Sequence, residues 1–406
     1  MFSHLIKQTL RKKKAIEFME VDRILFENKS SPEYPTVVFY AGVHGNEPAG
    51  VQALQRLKEY VQLNKVKLKG NVIAITGNKA ALSTSKRFHV EDLNRMWTKD
   101  KINKTLETPS EKRNQEQKEQ FELLELLDEI LVEAKGPLYF FDLHTTSSET
   151  IPFTTVNDSL INRKFAEKIP VPMILGIEEY LDGPLLSYIN QLGYVSFGFE
   201  GGQHLSETSI ENHFSFCLLS LQIADILDAD ADRKYSYIKV LTENAQHSKE
   251  IYEIYYRHAI DPSDHFFMET GYTNFQKIKK GQLLAEVNGE LLYADHDARI
   301  FMPLYQSQGE DAFFAVRKIP KWILSFSAFL RKQRIDRLLI LLPGVRWASL
   351  SKNTLMVNKS IARFFAKEVM HLMGYRSRYF DKEFLLMKNR EADSKKELYA
   401  KADWMR

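Results

Sequence analysis

Residues 36–40 read Thr-Val-Val-Phe-Tyr, nearly all apolar, between Pro35 and Gly42. A strand covered by side chains on both faces reads this way, because neither face is left for water. The stretches 71–76, 138–141 and 194–199 repeat the pattern. Between them the spacing lengthens to that of a helix. Val51, Leu54, Leu57 and Val61 share one face in 48–62, and Phe121, Leu124, Leu127 and Leu131 do so in 116–134. Buried strands alternating with amphipathic helices predict a three-layer α/β/α fold on a largely parallel sheet. The polar stretch 99–120 reads as a loop before the long helix.

The pattern changes near 228–233. From there to about residue 319, glycines and short β-type runs dominate, and a small all-β domain is expected. Beyond Pro320 the periodicity of 360–373 is helical. The chain of 406 residues therefore divides into an α/β/α domain over 1–232, a small β domain over 233–319 and a basic helical extension over 320–406.

Charge refines that picture. The net charge is only +3, yet residues 317–406 hold 21 Lys and Arg against 8 Asp and Glu. Such a tail could contact an anionic surface, but docking on the acidic body of its own chain or of a partner is the simpler expectation. The single cysteine, Cys217, rules out an internal disulfide and favours a reducing, cytoplasmic setting. Residues 1–14 lack the apolar core of a secretory signal. The apolar runs 322–330 and 338–343 are too short to span a bilayer.

Candidate chemistry gathers where the buried strands end, the place where open α/β sheets bind ligands. His44-Gly45-Asn46-Glu47 follows the first run, and Asp142-Leu143-His144 closes another. Two imidazoles and a carboxylate can hold zinc and leave a position open, so His44, Glu47 and His144 are the expected metal ligands. Asp142 would orient one of the imidazoles from behind. Glu200 closes an apolar strand before Gly201 and Gly202; a buried carboxylate there is costly without a task, and it reads as the general base and acid. Arg87 would polarise a scissile carbonyl, and Asn94 with Arg95 would clamp a carboxylate.

These motifs, His44-Gly45-Asn46-Glu47, Asp92-Leu93-Asn94-Arg95, Asp142-Leu143-His144 and Phe199-Glu200-Gly201, occur in the order seen in the succinylglutamate desuccinylase/aspartoacylase family. The likeness covers roughly 20–318, and the family resembles zinc carboxypeptidases in fold. The resemblance implies a hydrolase with one Zn2+ per chain that cleaves the amide of a small N-acyl amino acid. It assigns His44, Glu47 and His144 as ligands, Glu200 as base and acid, Arg87 to the carbonyl, and Asn94 and Arg95 to the α-carboxylate. It also makes Tyr305 the tyrosine that reaches the pocket from the β domain. Aspartoacylases carry a further arginine shortly before the catalytic glutamate, for the substrate's side-chain carboxylate. Residues 183–199 contain no Arg or Lys, and Asn190 stands at that place, which implies a neutral or differently shaped amino acid. The alternatives are a zinc carboxypeptidase or peptide amidase on a larger substrate, and a non-catalytic zinc-binding protein. A homo-oligomer is compatible with either enzyme. Among the other histidines, His89 and His204 are expected at the cleft mouth, and His213 among packing residues.

Overall fold

The computed structural model describes residues 21–228, 230, 236–261, 263–362, 366–379 and 383–406. The N-terminal stretch 1–14 and the domain boundary at 232/233 lie outside the described residues. In chain order the elements used below are β1 (Ile24–Asn28), β2 (Thr36–Ala41), α1 (Ala49–Leu63), β3 (Asn71–Thr76), α2 (Gln115–Glu133), β4 (Leu138–Thr146), β5 (Phe153–Val156), α3 (Leu160–Ala166), β6 (Met173–Leu175), α4 (Leu185–Gln191), β7 (Val195–Gln203), α5 (Glu207–Ile223) and α6 (Tyr237–Asn244). They continue as β8 (Ile251–Ala259), β9 (Phe266–Met268), β10 (Lys277–Ile278), β11 (Leu283–Val287), β12 (Glu290–Tyr293), β13 (Ala298–Phe301), β14 (Asp311–Lys318), α7 (Lys321–Lys332), β15 (Val345–Trp347), β16 (Thr354–Asn358), β17 (Tyr375–Tyr379) and β18 (Phe384–Asn389).

The main sheet runs β1-β3-β2-β4-β7-β5-β6-β8-β14-β13-β10. Its centre, β3-β2-β4-β7, is parallel, while β1 and β5 join antiparallel and make the whole mixed. Period two divides each central strand between two cores. Val37, Phe39, Phe141 and Leu143 pack against α1, α3 and α5 on one face. Val38, Tyr40, Leu138 and Phe140 pack against α2 and α4 on the other. Phe141 sits amid Phe39, Phe165, Phe197 and Phe216.

Residues 99–120 are not a loop. Lys99–Glu107 is a helix, capped by the Thr98 side chain and held by buried Ile102 and Thr105. After a short turn, Asn114 and Gln117 form a capping box that starts α2. Two caps and one apolar turn are enough to order a stretch whose exposed positions are polar.

The segment from Ile251 to Lys318 is built of strands, but not as a sheet of its own. Strands β8, β14, β13 and β10 extend the main sheet through the parallel β6–β8 pair, and only β12-β11-β9 stands apart. The helical reading of 320–406 is corrected: α7 is followed by a four-stranded antiparallel sheet, β15-β16-β18-β17. Leu355 and Val357, two apart on β16, are buried with Met387 and Tyr375, a period-two pattern too short to stand out in the sequence. The end of the chain returns to the main core. The Tyr399 hydroxyl accepts from Val195 N at 2.9 Å and donates to Leu138 O, at the starts of β7 and β4. Trp404 packs on Tyr139 and Phe165.

Candidate active site

The parallel centre of the sheet places the motifs side by side. His44 and Glu47 lie in the turn from β2 to α1, His144 is on β4, and Glu200 is its register partner on β7. The turn is tight: a Cβ at Gly45 would stand 2.1 Å from the Ala81 carbonyl carbon, so only glycine fits. Arg87 is carried by a loop fixed from two sides. Gly45 N donates to Arg87 O at 3.1 Å, and buried Glu116 accepts from His89 N and Val90 N at 2.8 and 3.0 Å.

One ligand atom each of His44, Glu47 and His144 lies within 4.8 Å of the others. Both imidazoles turn Nδ1 toward the Glu47 carboxylate, at 2.9 Å for His44 and 3.3 Å for His144. Their Nε2 atoms face carboxylates behind: Asp92 at 3.0 Å for His44, Asp142 at 2.6 Å for His144. Nε2–H donated backward leaves the Nδ1 lone pairs facing a carboxylate. Three acceptors pointed at one another in a buried site need a cation among them, and the donor set suits zinc. The carboxylates also favour positive charge on the imidazoles themselves. Burial alone would raise the Glu47 pKa, yet the charges of His44 and His144 hold it well below the usual range. Burial would lower that of His144, but Asp142 and then Glu47 push it well above. Asp92, also raised by burial, is driven well down by His44, Arg87 and Arg95.

Glu200 is 5 % exposed and its Oε2 has no hydrogen-bond partner among the described residues. Burial raises its pKa to about 8; Glu47 and Asp142 add to this, while His144 and Arg87 oppose it. A carboxylate so placed is a ready proton acceptor. Arg87 bridges Glu47 Oε1 and Asp92 Oδ2, each at 3.3 Å. Asn94 Oδ1 accepts from Leu185 N at 3.0 Å, leaving its amide N–H2 for a ligand. Arg95 donates to Asp311 of β14 at 3.0 Å, so this cation reaches the site already paired.

Eight of the nine expected residues line one cavity of about 140 Å3: His44, Glu47, Arg87, Asn94, Arg95, Asp142, His144 and Glu200. Tyr305 does not. Its hydroxyl donates to Glu269 O at 2.8 Å and accepts from Tyr272 N at 2.9 Å, so the backbone of 269–272 consumes it. The next residue, Gln306, lines the cavity instead and ties Asn46 to His204 at 2.8 and 3.0 Å. Asn190 is likewise turned away, donating to Ser196. His204 lines the cavity, but His89 faces Ala80 O and Thr84. Gly201 serves packing rather than a ligand, since a Cβ there would strike the His213 ring at 2.4 Å. His213 in turn donates to His144 O at 2.9 Å, steadying the ligand strand. Sequence reasoning gave no role to Asp92 or Asp311, although Asp92 opens a motif already in hand. Nothing local marked Gln306.

Residues 33–213 match the succinylglutamate desuccinylase/aspartoacylase catalytic domain. A succinylglutamate desuccinylase of Photorhabdus laumondii is 40% identical over 62 residues, 15% of this chain and 19% of that relative. A Pseudomonas putida enzyme of the same description is 39% identical over 57 residues, 14% of this chain and 17% of the other. The chain thus spans about a fifth of the length of the curated relatives it matches. Among solved structures, a succinylglutamate desuccinylase/aspartoacylase from Rhodobacter sphaeroides has a similar fold, with a TM-score of 0.53 at 17% identity over 72% of this chain and 88% of the other. The motif order and the strand ends that carry it fall within the stretch that matches, so residues 33–213 resemble the succinylglutamate desuccinylase/aspartoacylase catalytic domain.

Proposed function

We propose that this protein is a zinc-dependent hydrolase that cleaves the amide bond of an N-acyl amino acid. The observation that carries the reading is the convergence of His44, Glu47 and His144 beside the unpartnered carboxylate of Glu200. Zinc held by these three ligands would supply Lewis acidity and make water acidic enough to attack near neutral pH. Glu200 takes the proton from the attacking water and returns it to the leaving nitrogen. Arg87 donates to the carbonyl oxygen as charge builds there. Asn94 and Arg95 hold the free carboxylate of the substrate, and Asp92 and Asp142 keep the imidazoles oriented.

Two features favour a small substrate with a neutral side chain. Residues 302–311, from the strand-built second half, form one wall and narrow the cavity. Apart from Arg87 and Arg95, the lining holds no Lys or Arg, and Ile177, Leu181, Pro184, Leu186 and Phe314 make much of the rest apolar. The test is hydrolysis of N-acetyl, N-succinyl and longer N-acyl amino acids by the zinc-loaded protein, with side-chain charge varied. Neutral substrates should be preferred, and Glu200→Gln should lower kcat roughly 10²–10⁴-fold while zinc content holds. Equal cleavage of C-terminally blocked peptides would overturn the carboxylate clamp and favour a peptidase.

A further inference from the structure

The helix α7 is apolar on two sides. Leu324, Ser327, Leu330 and Arg331 face the protein and are buried. Trp322, Phe326 and Phe329, spaced so as to share one helical face, are 69%, 48% and 54% exposed. The turn that follows adds exposed Leu338, Leu341 and Leu342. Adjoining elements are in contact along this path, α7 with the turn and the turn with β15. Large exposed apolar side chains gathered like this mark an interaction surface.

Charge identifies its partner. Lys321, Lys332, Arg334, Arg337, Arg346 and Lys352 are exposed among these residues. The only acid in 320–352 is Asp336, which is turned inward to the Tyr375 hydroxyl at 2.9 Å. Beside α7 a recess of about 450 Å3 is lined by Arg163, Lys164, Lys249, Lys321 and Lys332 against one acid, Glu167. The Nη1 of Arg163, a residue 95% buried, has no hydrogen-bond partner among the described residues. A second copy docking by a twofold axis would set these cations against themselves. Residues 1–20 carry five Lys and Arg against two Glu and would be repelled too. A bilayer with anionic headgroups complements both the apolar face and the surrounding positive charge.

We propose that this face docks the protein peripherally on anionic lipid bilayers. The helix α7 lies in the headgroup region, Trp322, Phe326 and Phe329 enter the acyl boundary, and the flanking cations meet lipid phosphates. Among the described residues no helix is long and apolar enough to cross a membrane, so the attachment is to one surface. The experiment is co-sedimentation of the full-length protein with vesicles of phosphatidylcholine alone or mixed with phosphatidylglycerol, while tryptophan emission is followed and the part due to Trp322 is taken as the difference from Trp322→Phe. Binding should be at least about tenfold stronger to the anionic vesicles, blue-shift the emission, and weaken in high salt. Phe326→Glu with Phe329→Glu, and separately Lys321→Glu with Lys332→Glu, should each lower it at least about tenfold with an unchanged thermal midpoint. Equal affinity for both vesicles, no binding, or variants that bind like the wild type would overturn the proposal. So would a dimer that the phenylalanine variant abolishes, since a second copy would then be the occupant.

Discussion

His44 and His144 each spend one ring nitrogen on a carboxylate behind and aim the other at Glu47. That economy makes the backing carboxylates as informative as the ligands. Asp142 was legible because it stands two positions before His144 on one strand, and side chains two apart share a face. Asp92 was not, because it is 48 residues from His44 and meets it only through the loop that Glu116 holds. Asp92→Asn should lower zinc affinity roughly 10–100-fold. Competition with a chromophoric chelator measures this, and wild-type affinity would deny Asp92 its part. Tyr305 shows the opposite failure: a residue of suitable type whose hydroxyl the neighbouring backbone had already taken.

At the scale of elements, the central strands and α1 and α2 were readable because their apolar spacing is long and regular. Short strands such as β15 and β16 were not, since three to five residues fit several periods. The joint between α3 and the C-terminal elements was wholly hidden. Buried Asp158 there accepts from Arg163, from Arg331 at 2.9 Å and from Arg390 at 2.8 Å. Arg390 also reaches Glu179, and Asn157 and Ile177 beside these acids line the catalytic cavity. Burial would raise the Asp158 pKa, but the arginines, Arg163 first, hold it far below the usual carboxylate range. A carboxylate depressed in the folded state stabilises above its unfolded pKa of about 4, and that stability is lost as pH falls toward the folded value. The thermal midpoint of the wild type should therefore drop between neutral pH and pH ~3 more steeply than that of Asp158→Asn. Parallel slopes would mean that Asp158 does not carry the acid sensitivity.

Across the whole molecule, the basic extension belongs to the body it was expected to rest on. Leu324, Tyr399 and Trp404 are part of the main core, and Arg331 on Asp158 and Arg390 on Glu179 hold loops that lead to the cavity. Trp404→Ala should cost roughly 3–5 kcal/mol in urea unfolding, as for a large aromatic removed from a packed interior. A loss below about 1 kcal/mol would show that the end of the chain only lies against the core. By itself the sequence determined the layered α/β scaffold and the strand ends at which His44, Glu47, His144 and Glu200 gather, because strand periodicity and strand-end placement are local properties. Only the tertiary structure decided which carboxylate backs each imidazole, that Gln306 and not Tyr305 borders the cavity, and that β8 continues the catalytic sheet. It also decided that the last residues close the core. Those outcomes depend on which distant segments meet, and on which polar groups are satisfied before a ligand arrives.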